Sequence, residues 1–165
     1  SAASAALGDS DGQEKKITEA LQSYSTTGAR FQSPYHHILL AEVQRRKGDI
    51  HSALESINAA QVIIRLTGEQ YYSAEIHRLT AELLWANHNQ HAEAETRFMQ
   101  GLETARSKNA KGLELRSACS LARLWLEMGK KTAASDLLSS GYSCFTEGVG
   151  TRDLQDAKNL LEELS

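Results

Sequence analysis

Proline is almost missing from this chain. Pro34 is the single occurrence in 165 residues, so long helices can run unbroken. Cysteine is nearly as scarce: Cys119 and Cys144 are too few for a disulfide framework, and two thiols in a helical protein suit the cytosol. Aromatic residues make up only 6%, while Ala and Leu are plentiful, a balance that favours helix over strand. No apolar run approaches the roughly 18 residues that would suggest a membrane span. Excess positive charge is missing too. The net charge is −3, and Lys and Arg are dispersed, so there is no basic stripe of the kind that neutralises nucleic-acid phosphates. Residues 1–13 are small and polar, without the basic start and apolar stretch of a signal peptide. They read as a disordered lead-in or a cloning junction on a piece of something longer, with 14–165 as a single helical repeat domain.

What is present is a repeat, which has to be sought before any other pattern. Leu40-Ala41, Gly48, Ala53, Ile57 and Ala60 align with Ala81, Trp85, Asn89, Ala94, Phe98 and Gly101. Both align with Leu121-Ala122, Trp125, Gly129, Ala134, Leu138 and Gly141. The step from Ala53 to Ala94 is 41 residues and from Ala94 to Ala134 is 40. Thr27-Gly28 recurs as Thr67-Gly68 on the same period. Each position suits a pair of antiparallel helices. Gly or Asn closes the first helix in a left-handed conformation, and Asp49 offers an oxygen to cap the next. A small Ala lets the second helix approach, and Ile57, Phe98 or Leu138 fills the space one turn on.

The apolar spacing is helical throughout, as in Ile50, Ala53, Leu54, Ile57, Ile64 and in Tyr72, Ile76, Leu79, Leu83. It predicts helices over about 14–27, 34–47, 50–66, 69–87, 91–107, 111–128, 131–146 and 152–164. Ser33-Pro34 reads as an N-cap followed by proline in the first turn. Thr151 caps the last helix, whose Leu154, Ala157, Leu160, Leu161 and Leu164 share one face while Asp156, Lys158 and Glu162 stay wet. A terminal repeat needs such a polar outer cover. The expected fold is all-α, a right-handed α-solenoid of antiparallel helix pairs closed by a C-terminal capping helix.

This pattern resembles the tetratricopeptide repeat, with a step six or seven residues longer than usual and no proline at the repeat ends. Across Ile17 to Leu164 the chain is similar to the C-terminal helical region of large bacterial signal-transduction ATPases, which often carry an adenylate-cyclase or winged-helix domain. The resemblance rests on Thr27-Gly28-Ala29-Arg30, Pro34-Tyr35, Leu39-Leu40-Ala41-Glu42, Glu75-Ile76-His77-Arg78-Leu79, Glu82-Leu83-Leu84, Arg116-Ser117-Ala118, Ser120-Leu121-Ala122-Arg123-Leu124-Trp125 and Phe145-Thr146-Glu147-Gly148. It implies a cytoplasmic, non-catalytic module of a larger signalling or transcriptional regulator. No ATPase or cyclase motif lies in these residues, so those activities do not carry over.

Catalytic and metal motifs are weak. Gly129-Lys130-Lys131 lacks the upstream glycine of a phosphate loop and reads as a helix end, and Gly148-Val149-Gly150 as a turn. His88 and His91 are three apart across a predicted turn and His77 lies on the preceding helix, but zinc asks for about four converging ligands. His36 and His37 open a helix, one packing and the other facing water. Cys119 sits in an apolar-periodic helix and reads as a packed thiol; Trp85 and Trp125 hold matching repeat positions and read as packing. No cofactor, metal or catalytic residue is expected.

Charges on the first helix of each pair are more informative, because in tetratricopeptide-like solenoids that helix lines the concave surface. Glu42 and Arg45, Arg78 and Glu82, and Arg116 and Arg123 fall three, four and seven residues apart, hence on one helical face. A solvated face with weak ion pairs accounts for any one of them; together they are the candidate partner-binding residues. The expected function is recognition of a peptide, a helix or a neighbouring domain of the parent protein. A small-molecule effector sensor and a self-association module remain alternatives. Nucleic acid and membrane are not expected partners.

Overall fold

The computed structural model describes residues 2–27, 33–86, 90–146 and 150–165. They form eight helices: α1 (Ala2–Thr27), α2 (Ser33–Lys47), α3 (Ile50–Thr67), α4 (Ser73–Ala86), α5 (His91–Ser107), α6 (Lys111–Glu127), α7 (Lys131–Tyr142) and α8 (Arg152–Leu164). No strand occurs among the described residues, and no helix among them is long and apolar enough to cross a membrane. Gly28, His88, Asn89, Gly148 and Val149, which carry part of the repeat and turn readings, lie outside them. The chain divides into two compact units, Ser1–Leu79 and Thr80–Ser165, and the division falls within α4.

In the first unit α1 packs on α2 and α2 on α3. The helix α1 takes in the residues read as a lead-in. Pro34 stands in the first turn of α2, where its missing N–H costs nothing. Gly48 closes α2 at φ +80°, a backbone region that side chains with a Cβ avoid. Asp49 then caps α3, its Oδ1 accepting from the Ser52 amide at 3.1 Å. The buried stripe Ala53, Ile57, Ala60 and Ile64 follows the spacing expected of α3.

The helix α4 begins at Ser73 rather than near 69. The Glu69 Oε1 accepts from the Tyr71 amide at 2.8 Å, and the Ser73 amide bonds to the Gln70 carbonyl at 3.2 Å. A local side-chain acceptor of this kind competes with the helical ladder.

In the second unit α5 packs on α6, α6 on α7, and α8 on both α6 and α7. Gly129 (φ +76°) ends the α6 turn as Gly48 does for α2. Ala94 and Phe98 are fully buried with Ala81, Leu121 and Leu124. Ala134 and Leu138 are fully buried in a second cluster with Leu115, Ala118, Ala122, Leu154, Ala157, Leu160 and Leu164. Fully burying a Leu or Phe side chain is worth about 1.5–3 kcal/mol, which makes these clusters the main stabilisation of the unit.

Two further details depart from the sequence expectation. The helix α7 stops at Tyr142, not near 146: Ser143 Oγ and Cys144 Sγ both bond back to the Ser140 carbonyl, and a Ser- and Gly-rich end is a poor helix former. Thr151 holds the cap position of α8 with extended backbone, but its hydroxyl makes no capping bond.

Candidate functional site

The candidate charges do not form one class of site. In the first unit, Glu42 on α2 receives Arg45 through two hydrogen bonds (3.1 and 3.0 Å) and Arg46 through one (3.0 Å). Arg78 on α4 brings its Nη2 to 3.5 Å from the other Glu42 oxygen. Arg78 also grips Glu75 with both fork nitrogens, at 3.0 and 2.8 Å. Spacings of three and four residues place these partners on shared helix faces, and α2 supplies the carboxylate that joins the two helices. Burial would raise the Glu42 carboxyl, but hydrogen bonding from Arg45 and the charges of Arg78, Arg45 and Arg46 outweigh it and hold the group at about 2. Arg78 is only 5% exposed, so it offers a partner almost no surface. A hydrogen-bonded buried pair with this geometry is a structural junction.

Beside it, the buried Ser56 hydroxyl donates to Gln44 Oε1 at 2.8 Å, tying α3 to α2. Lys47 reaches Asp11 and Glu14 of α1, each at 2.6 Å, and these hydrogen bonds raise its pKa.

The second unit holds the other three candidates. Glu82 on α4 accepts from the Ser120 hydroxyl of α6 at 2.7 Å. Arg116 lies 3.9 Å from Asp153 at the start of α8. Arg123, two turns along α6 from Arg116, is exposed. Arg45, Arg116 and Arg123 are therefore the candidates that keep guanidinium surface toward solvent.

Other polar side chains in this unit act as cross-braces. Trp85 donates to Glu127 at 3.1 Å, and its ring meets Phe98 edge-on. Trp125 donates to Glu95 at 2.5 Å, while Lys130 bonds to the same carboxylate at 2.8 Å and sits over the Trp125 ring. The Lys130 hydrogen bond leads the effects that lower the Glu95 carboxyl. Glu114 would be raised by its burial, but Arg106 and Lys111 bond to it and lower it.

The remaining candidates for chemistry stay apart. Among the described residues no three His, Cys, Asp or Glu side chains gather as a metal site would require. Cys119 is buried and Cys144 exposed. His36 and His37 are both half-buried; burial, then the charge of His36, lowers the His37 ring, whose Nδ1 finds no hydrogen-bond partner among the described residues. His91 Nε2 lies 3.6 Å from Glu127, beyond hydrogen-bonding reach.

Sequence reasoning missed two features of the first unit. Tyr35, Tyr71 and Tyr72 gather at the approach to α4, with ring centroids 5.5 and 5.0 Å apart; only the Tyr71-Tyr72 doublet hinted at it. A cleft between α3 and α4 is lined by Gln61, Ile64, Arg65, Ser73, Ile76 and His77. Its lining comes from two helices, so no local pattern announces it. Comparison with protein-family models, with curated proteins and with solved structures gave no match to this chain.

Proposed function

We propose that this chain is a tetratricopeptide-like module whose helix pairs stack as a solenoid and recognise a protein segment within a cytoplasmic bacterial regulator. One observation carries the reading. The triads Ala53/Ile57/Ala60, Ala94/Phe98/Gly101 and Ala134/Leu138/Gly141, set 41 and 40 residues apart, are buried at all nine positions. Gly48 and Gly129 precede two of the triads by the same five residues with the same left-handed backbone. Stacked helix pairs generate an extended groove suited to a peptide or helix. The regulator assignment rests on the resemblance of the stretches named above.

Most candidate ionisable groups are occupied by pairing within the chain, which suits a scaffold better than an acid–base site. Arg116 and Arg123 share a face of α6 and retain exposure, and their forked donors favour an acidic segment. Selection of displayed peptides against the whole chain tests this. Acidic winners should bind in solution and lose at least about tenfold in affinity with Arg116→Gln/Arg123→Gln. Winners without acidic residues, or binding unchanged by that double substitution, would overturn the assigned face.

A further inference from the structure

We propose that the cleft between α3 and α4 binds a small carboxylate carried on a short apolar stem. The cleft measures about 200 Å3, below the roughly 300–1,000 Å3 of sites for drug-sized molecules, so its occupant is small. Gln61, Ile64 and Arg65 are three and four residues apart on α3, and Ser73, Ile76 and His77 keep the same spacing on α4. Each trio therefore shares one face. Ile64 and Ile76, both buried, give the cleft an apolar lining. The other four side chains all carry hydrogen-bond donors: a guanidinium, an amide, a hydroxyl and an imidazole.

The charge balance selects the ligand. Among the described residues, Arg65 is the one permanently charged group lining the cleft, and no acidic residue lines it. Five of the arginines meet counter-charges: Arg45, Arg46 and Arg78 meet Glu42, Arg106 meets Glu114, and Arg116 meets Asp153. Arg65 pairs with no carboxylate among the described residues, and the nearest acids in sequence are engaged. Glu75 holds Arg78, and a Glu69 oxygen accepts from the Tyr71 amide. A cation in the last turn of α3 suits the negative helix end, which accounts for Arg65 but not for the Gln61 amide and the Ser73 hydroxyl that belong to residues lining the same cleft. A carboxylate matches the guanidinium fork through two parallel hydrogen bonds, and an apolar stem would displace water from Ile64 and Ile76. The inference does not depend on the repeat reading, since every lining residue belongs to the first unit.

The test is an NMR titration of the whole isotope-labelled chain with 3-methylbutanoate at constant ionic strength, alongside the neutral 3-methylbutanamide. Saturable shifts should centre on Gln61, Arg65, Ser73 and His77, with the amide binding at least about tenfold more weakly. Arg65→Gln, at an exposed position, should keep the helical circular dichroism and lose about tenfold in carboxylate affinity. Arg123→Gln should bind as the unaltered chain does. Equal binding of acid and amide, unchanged binding by Arg65→Gln, or unsaturable shifts spread over Arg97 and Arg123 would each overturn the proposal.

Discussion

Arg78 and Glu75 stand one turn apart on α4 and are joined by two parallel hydrogen bonds of 3.0 and 2.8 Å, with 5% and 3% of their surface exposed. A pair so removed from water depends on both members, because losing either takes away the other's two-bonded partner at a site cut off from solvent. Arg78→Ala should therefore destabilise the chain by about 3–5 kcal/mol. Arg78→Met combined with Glu75→Leu should cost clearly less than the two single changes added together. Urea unfolding of the unaltered chain, Arg78→Ala, Arg78→Met, Glu75→Leu and the double variant decides this. Additive losses would mean that the two charges do not depend on each other.

Glu42 makes stability sensitive to acid. Its carboxyl is held at about 2 against an ordinary 4.5, so the folded state binds its proton less readily than the unfolded state does. The stabilisation is complete above pH 4.5 and is lost as pH falls from there through about 2. It amounts to up to about 3 kcal/mol. Unfolding free energies measured from pH 6 downward should fall steeply in this window, and Glu42→Gln should flatten that part of the curve.

Ala94 marks a close approach between helices. It is fully buried with Phe98 against α6, and Ala94→Leu should overpack that contact at a cost of about 1–3 kcal/mol. Glu93→Ala, one residue away and exposed, should stay within about 0.5 kcal/mol. Thermal melts of the two variants separate a packing position from a surface one.

The amphipathic helix α8 covers α6 and α7. Leu160→Ala, in the buried cluster, should cost about 2–5 kcal/mol, whereas Leu161→Ala, half-buried at its edge, should cost less. A chain stopped before Thr151 should expose Leu138 and Leu115 and aggregate. Light scattering of a truncated chain that stayed monomeric would contradict the covering role.

Arg78 and Arg123, both candidate partner-binding residues, should behave oppositely. Arg123→Glu, at an exposed position, should leave the melting temperature nearly unchanged. Arg78→Glu places a third carboxylate beside Glu75 and Glu42 and should unfold the first unit. Circular dichroism of each single variant shows the difference directly.

Much of the fold was legible because helical signals are local. The three- and four-residue rhythm of Ala53, Ile57, Ala60 and Ile64 marks which side of α3 is buried before any neighbour is known. Gly48, Asp49 and Gly129 announce their turns by backbone and capping chemistry alone. The sequence by itself thus determined helix, turn and core face. Which charge meets which was decided only in three dimensions. Spacing puts both Glu75 and Glu82 within reach of Arg78, and only the approach of α2 brings Glu42 into the same buried junction. Glu82 takes a hydroxyl from Ser120, 38 residues away, while Arg65 is left facing a cleft assembled from two helices. Long side chains find partners across helix contacts, and those contacts are set by packing that no single stretch of sequence encodes.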